Sequence, residues 1–253
     1  ARSCCRDVAE TPGAVASLVA GATGDDGALH EPSQKLIALC VAQRELAAAV
    51  LTVNGTADAL TALMSRDDPG GQILGLDAAE AALDESLRNP ETEALLLMTV
   101  ITHGPLRAAH MGVVTRTVLL LATLCRSERL SRAVGPDAVQ RLADMLLRDS
   151  HDADPRCDSD ALVAAAASAL VPLCQRDARA ASVVVQSGGF FALLSLLSSA
   201  NEAVMAASLA TLAAVAATAQ GRDAFGHAEP SSLEALVAAL GPGTPAPARS
   251  EAL

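Results

Sequence analysis

Aromatic side chains are almost missing from this sequence. Tryptophan and tyrosine are absent, and aromatics make up 1% of the 253 residues. Strands draw on aromatic and β-branched side chains, so the deficit argues against a β-rich core. Lysine is nearly absent too: Lys35 is the only one, and arginine carries the rest of the positive charge. The formal net charge is −11. A chain so short of clustered cations is not expected to take nucleic acid as a main partner or to sit on an anionic membrane. The six cysteines, Cys4, Cys5, Cys40, Cys125, Cys157 and Cys174, include no Cys-x-x-Cys pair. Most lie in apolar runs, the usage expected of reduced thiols in the cytoplasm and not of a disulfide framework.

The patterns that carry chemistry are missing as well. There is no Gly-x-Ser-x-Gly, no phosphate-cradling loop and no His-Glu-x-x-His. His30, His103, His110, His151 and His227 are scattered, and none shares a motif suggesting a triad. The loop from Asp149 to Asp160 holds metal-ligand residue types but lacks the central Gly and final Glu of a calcium loop. Zinc would need more Cys or His, so the loop reads as a solvated acidic insertion. No enzyme activity, cofactor or metal is expected. No signal peptide is evident, and the apolar run Ala203 to Ala219 is shorter than the ~20 residues a membrane span needs. The chain opens on Ala1 and not Met, as expected of a fragment or a processed chain.

What is present is leucine, alanine and valine in a repeating arrangement. Hydrophobic residues make up 51% of the chain, and alanine has the strongest helix propensity. One helical pattern places apolar residues at i, i+3, i+6 and i+7, on one face. It reads Phe190, Leu193, Leu196, Leu197, and recurs as Val139, Leu142, Met145, Leu146 and as Leu233, Leu236, Ala239, Leu240. Weaker copies are Ala57, Leu60, Leu63, Met64 and Ala94, Leu97, Val100, Ile101, with a first copy at Val15 and Leu18. The starts at 15, 57, 94, 139, 190 and 233 are separated by 42, 37, 45, 51 and 43 residues. Such a period means stacked helical modules, none able to bury its apolar face alone. A second helix follows each, and three of these end alike, in Leu36 to Cys40, Leu121 to Cys125 and Leu170 to Cys174. Cys40, Cys125 and Cys174 thus share one repeat position, filled by Ala216 in the last copy, and a small buried residue is expected there.

The stretch Val184 to Leu197 resembles an armadillo repeat: a short first helix, Gly188-Gly189, then a second helix. Val204 to Ala216 resembles its third helix. The resemblance implies an all-α fold, a right-handed α-solenoid of about five to six armadillo-like repeats. It places an N-terminal segment at 1–12, the repeat domain at 13–240 and a flexible Pro/Gly-rich tail at 241–253. The copy around 70–110 is degenerate and HEAT-like.

In armadillo proteins the third helices line a concave groove. Alignment with the nuclear-import adaptors puts Ala38, Glu85, Thr123, Pro172 and Ala214 where those adaptors carry a ladder of Asn. Gln34, Leu119, Ser168 and Ala210 stand where they carry Trp. Neither ladder exists here, so recognition of basic nuclear signals by that mechanism is not expected. The loops before the third helices are acidic, with Asp25, Asp26, Asp67, Asp68, Asp149, Asp152 and Asp154. The turns after them carry Arg44, Arg88, Arg126, Arg129, Arg132, Arg176, Arg179 and Arg222. This pattern complements helix dipoles and also sets up an acidic rim that would steer a partner with a basic surface. The expected role is a scaffold or adaptor for another protein, a non-catalytic subunit of a larger cytoplasmic assembly such as a cytoskeletal or ciliary one. The alternative implied by the family is an Hsp70 nucleotide-exchange co-chaperone.

Overall fold

Alanine- and leucine-rich segments cut by glycine, proline and short polar loops fold here as successive helices. The computed structural model describes residues 2–11, 13–23, 27–51, 53–86, 106, 110–147 and 159–240. Among them there is no β-strand. The chain divides into two compact units, 1–120 and 121–253.

The first unit holds α1 (Arg2–Glu10), α2 (Ala14–Thr23), α3 (Gly27–Val41), α4 (Arg44–Leu51), α5 (Thr56–Met64) and α6 (Pro69–Ser86). The boundary falls within α7 (Met111–Leu124). The second unit continues with α8 (Glu128–Ser131), α9 (Pro136–Leu146), α10 (Ser159–Arg176), α11 (Ala178–Gln186) and α12 (Gly189–Leu196). It ends in α13 (Glu202–Ala216), α14 (Ala219–Gly226) and α15 (Pro230–Ala239).

One order recurs: first helix, second helix, longer third helix. It is α1–α2–α3 and α4–α5–α6 in the first unit, and α8–α9–α10 and α11–α12–α13 in the second. The second helices at 15, 57, 139, 190 and 233 are α2, α5, α9, α12 and α15. The copy at 94, the acidic loop at 149–158 and the tail at 241–253 lie outside the described residues. Residues 2–10, assigned from sequence to a segment before the repeats, form α1, which packs on α2, α3 and α4.

Glycine shapes the turn between first and second helices. Gly13, Gly55 and Gly188 have φ of 77°, 90° and 82°, the left-handed region that only glycine enters at no steric cost. Gly135 holds the same place with φ of −76°; there Pro136 starts the next helix and no left-handed residue is needed. Side chains cap other starts. Asn201 Oδ1 accepts from the N–H of Ala203 at 3.0 Å, and Asp177 Oδ1 accepts from that of Arg179 at 2.8 Å.

The core is aliphatic. Ile37, Leu60, Leu63, Met64 and Leu76 are sealed in the first unit, and Leu142, Leu170 and Phe190 in the second. Each such side chain contributes about 1.5–3 kcal/mol over leaving it in water. In the second unit α10 packs along α13. Buried Thr211 ties this pair, its Oγ1 lying 2.8 Å from the carbonyls of both Ala167 and Ala207.

Candidate functional site

Sequence reasoning put the third helices forward for binding. Leu119 and Thr123 on α7 are exposed, as is Ser168 on α10, and Pro172 is half-buried. Leu119 is 46% exposed, so a large apolar side chain stands open to solvent there. Helix α10 runs on past Pro172 to Arg176.

Three expected groove residues point elsewhere. Ala38 is fully buried, and Ala210 and Ala214 are buried as well. In the last turns of α3 Leu39 is exposed, and Lys35 and Leu36 are half-buried. One residue is 100° of helix, and α3 offers apolar side chains all round from Leu36 to Leu39, so the motif alignment chose the wrong side. The aligned Gln34 is also buried, its amide donating to the carbonyl of Ala22 at 3.2 Å. On α13 the partly open positions are Met205, Ala206, Ala213 and Ala216. The side chain of Glu85 lies outside the described residues.

Charge on these helices is organised in pairs. Arg116 on α7 reaches Asp77 and Glu80 on α6, the latter at 3.0 Å. Asp77 and Glu80 are three apart, so they share a helix face. Lys35 on α3 meets Glu31 one turn back and Asp68, at 3.4 Å, in the loop before α6. Arg66 joins Glu31 at 3.2 Å. Asp68 also accepts from the N–H groups of Gly70 and Gly71, at 3.2 and 3.0 Å, at the start of α6. The side-chain hydrogen bond from Lys35 and its charge hold Glu31 below the usual carboxylate range. At Asp68 partial desolvation pushes upward, but the Gly71 N–H and Lys35 outweigh it and the value is lowered. Lys35 is raised, chiefly by its hydrogen bond to Glu31. Of the acidic rim, Asp67 is exposed and Asp68 is engaged in this cluster. Asp25, Asp26, Asp149, Asp152 and Asp154 lie outside the described residues.

At the other ends of the third helices, arginine caps carbonyls. Arg176 donates to the carbonyls of Cys125 (2.8 Å) and Arg126 (3.0 Å) and to Ser131 Oγ (3.2 Å). Arg222 donates to the carbonyls of Ala216 and Ala217 at 3.3 and 2.9 Å. Cationic side chains satisfy the orphan carbonyls of a helix C-terminus in this way. The buried thiols of Cys125 and Cys174 are pushed up to about 12 by desolvation; nearby Arg176 opposes this at Cys125 and Asp177 adds to it at Cys174. They are packing groups, not nucleophiles. Beyond α13, an apolar hollow of about 150 Å³ is lined by Leu209, Leu212, Ala216, Phe225, Leu236 and Leu240.

Among the described residues no group of His, Cys, Asp and Glu is arranged to hold a metal ion. Nor is any single helix there long and apolar enough to cross a membrane. No family model matches the chain, and no curated protein matches it. Solved structures do. A designed armadillo repeat protein matches with a TM-score of 0.70 at 15% identity, over 94% of this chain and 96% of its own. A second, solved in complex with the peptide (KR)4, matches with a TM-score of 0.66 at 13% identity, over 94% and 96%. An engineered protein matches with a TM-score of 0.64 at 20% identity, over 94% and 93%.

The fold is that of an armadillo repeat array. In class this armadillo array is an all-α solenoid.

Sequence reasoning did not find the link from Arg116 to Asp77 and Glu80. The i, i+3 spacing of the two acids was its only signal. The pairing between α3 and the loop before α6 around Lys35 had none beyond the rarity of lysine.

Proposed function

We propose that the chain is a non-catalytic protein-binding subunit of a larger cytoplasmic assembly, with cytoskeletal and ciliary assemblies the first to examine. The observation that carries this reading is the set of side chains left open on the third helices within each unit. Leu39, Leu119, Thr123 and Ser168 are open there, and no nucleophile, acid–base pair or metal-type cluster accompanies them among the described residues. Few aromatic anchors are available to make hot spots, so affinity comes from a broad surface. That suits a stable assembly better than capture of a short motif.

The partner has a basic surface in this reading. A net charge of −11 and acidic loops before the third helices would steer it electrostatically. The designed armadillo protein that holds the peptide (KR)4 supports the idea that such a fold accommodates a cationic chain. The test is co-purification of a stoichiometric complex, followed by charge reversal of Asp149, Asp152 and Asp154 to Lys. The reversal should weaken capture roughly tenfold at low salt and flatten its salt dependence. Unchanged affinity would reject the acidic rim, and the lack of any stoichiometric partner would reject the scaffold. Accelerated nucleotide release from Hsp70 would replace it with the co-chaperone role.

A further inference from the structure

The second unit gathers arginine at one place in a way that helix capping does not use up. Arg176 binds the backbone of Cys125 and Arg126 and the hydroxyl of Ser131. Those three bonds draw segment 126–132 against segment 176–179. The two segments together carry Arg126, Arg129, Arg132, Arg176 and Arg179, all exposed, against the carboxylates of Glu128 and Asp177. Glu128 is taken by Arg132, and Asp177 accepts from the backbone of Arg179 as a helix cap. Neither Arg126 nor Arg179 has an ion pair with a described residue.

We propose that this edge docks an acidic protein segment, one with several Asp or Glu side chains in succession. This deepens the scaffold reading and rests on it. The chain as a whole is acidic, but the Debye length at physiological salt is about 8 Å, so an incoming carboxylate answers to the local charge. Guanidinium groups match carboxylates in a bidentate fork. Arg176, already held by three bonds, contributes fixed positive charge with no ordering cost at binding. A nucleic acid fits less well, because its affinity grows with the number of phosphates neutralised and the local excess here is small.

The test is fluorescence anisotropy of a short fluorescein-labelled polyglutamate peptide with the whole chain. Polylysine and a single-stranded oligonucleotide of equal length serve as comparisons. Polyglutamate should bind, weaken steeply with added salt, and lose roughly tenfold in affinity to an Arg126→Glu/Arg179→Glu variant. That variant leaves the capping Arg176 in place, and an unchanged helical circular dichroism signal checks its fold. Arg126→Lys/Arg179→Lys should keep most of the binding. Equal binding by the reversal variant overturns the proposal, and so does tighter binding of the oligonucleotide. No polyglutamate binding beside an intact stoichiometric complex sinks this edge alone. Salt-sensitive polyglutamate binding with no stoichiometric partner sinks the scaffold alone.

Discussion

Cys125 and Cys174 show what one repeat position demands. Each sits at the end of a third helix, buried where the surroundings are too dry for a charge. Both thiols titrate at about 12, mainly because burial disfavours the thiolate. Their ordinary value is 9.0, so the unfolded chain gives up these protons first. The stability they lend is therefore complete below about pH 9 and is lost as pH rises toward 12. Thermal unfolding of the second unit should therefore shift to lower temperature between pH 9 and pH 11, and a Cys125→Ala/Cys174→Ala variant should flatten the slope. An unaltered slope in the variant would assign the alkaline loss to other groups. The recurrence of Cys at this position was legible in the sequence. The cap that Arg176 places over Cys125 was not, because Arg176 and Cys125 are distant in sequence and meet only in the folded array.

At the scale of elements, the start of α14 lies tight against the end of α13. A Cβ added at Gly221 would stand 2.0 Å from the carbonyl oxygen of Val215, and a backbone atom cannot swing aside. Alanine would gain about 1 kcal/mol in helix propensity and lose about 3 kcal/mol to overpacking. Gly221→Ala should thus destabilise the second unit by about 2 kcal/mol, read from urea unfolding; a neutral or stabilising result would mean α14 shifts freely. In the first unit, the cluster of Glu31, Lys35, Arg66 and Asp68 joins α3 to the loop before α6. Glu31 and Asp68 are lowered, so their contribution is present above the ordinary carboxylate range and fades as pH falls through the lowered values. Lys35 is raised, and its share fades only at high pH. A Lys35→Met variant should lose part of this acid dependence, visible as melting curves of parent and variant that converge at low pH and separate near neutrality. Salt should shrink the gap, since these groups are exposed.

The same elements divide what the sequence tells from what it withholds. Helix positions followed from the i, i+3, i+6, i+7 pattern, and all the described second helices lie where it put them. Rotation about the helix axis did not. Where a single polar residue breaks the apolar run, as at Thr123 and Ser168, the aligned residue is at the surface. Where the helix is apolar all round, as at Ala38 and again at Ala210 and Ala214, alignment had nothing to distinguish the faces. The helix α1 was missed because it carries Cys4-Cys5 and several charges in place of a leucine pattern, and its burial rests on Cys5.

For the molecule as a whole, the near absence of lysine has a practical side. The one primary amine on a side chain belongs to Lys35, inside the cluster that fastens α3 to the approach of α6. Any reagent, cross-linker or conjugating enzyme that seeks a lysine side chain has a single address in these 253 residues. An attachment that neutralises the amine takes the cation from Asp68 and leaves Glu31 with Arg66 alone, so a tag meant as a passive label would loosen the join it is attached to.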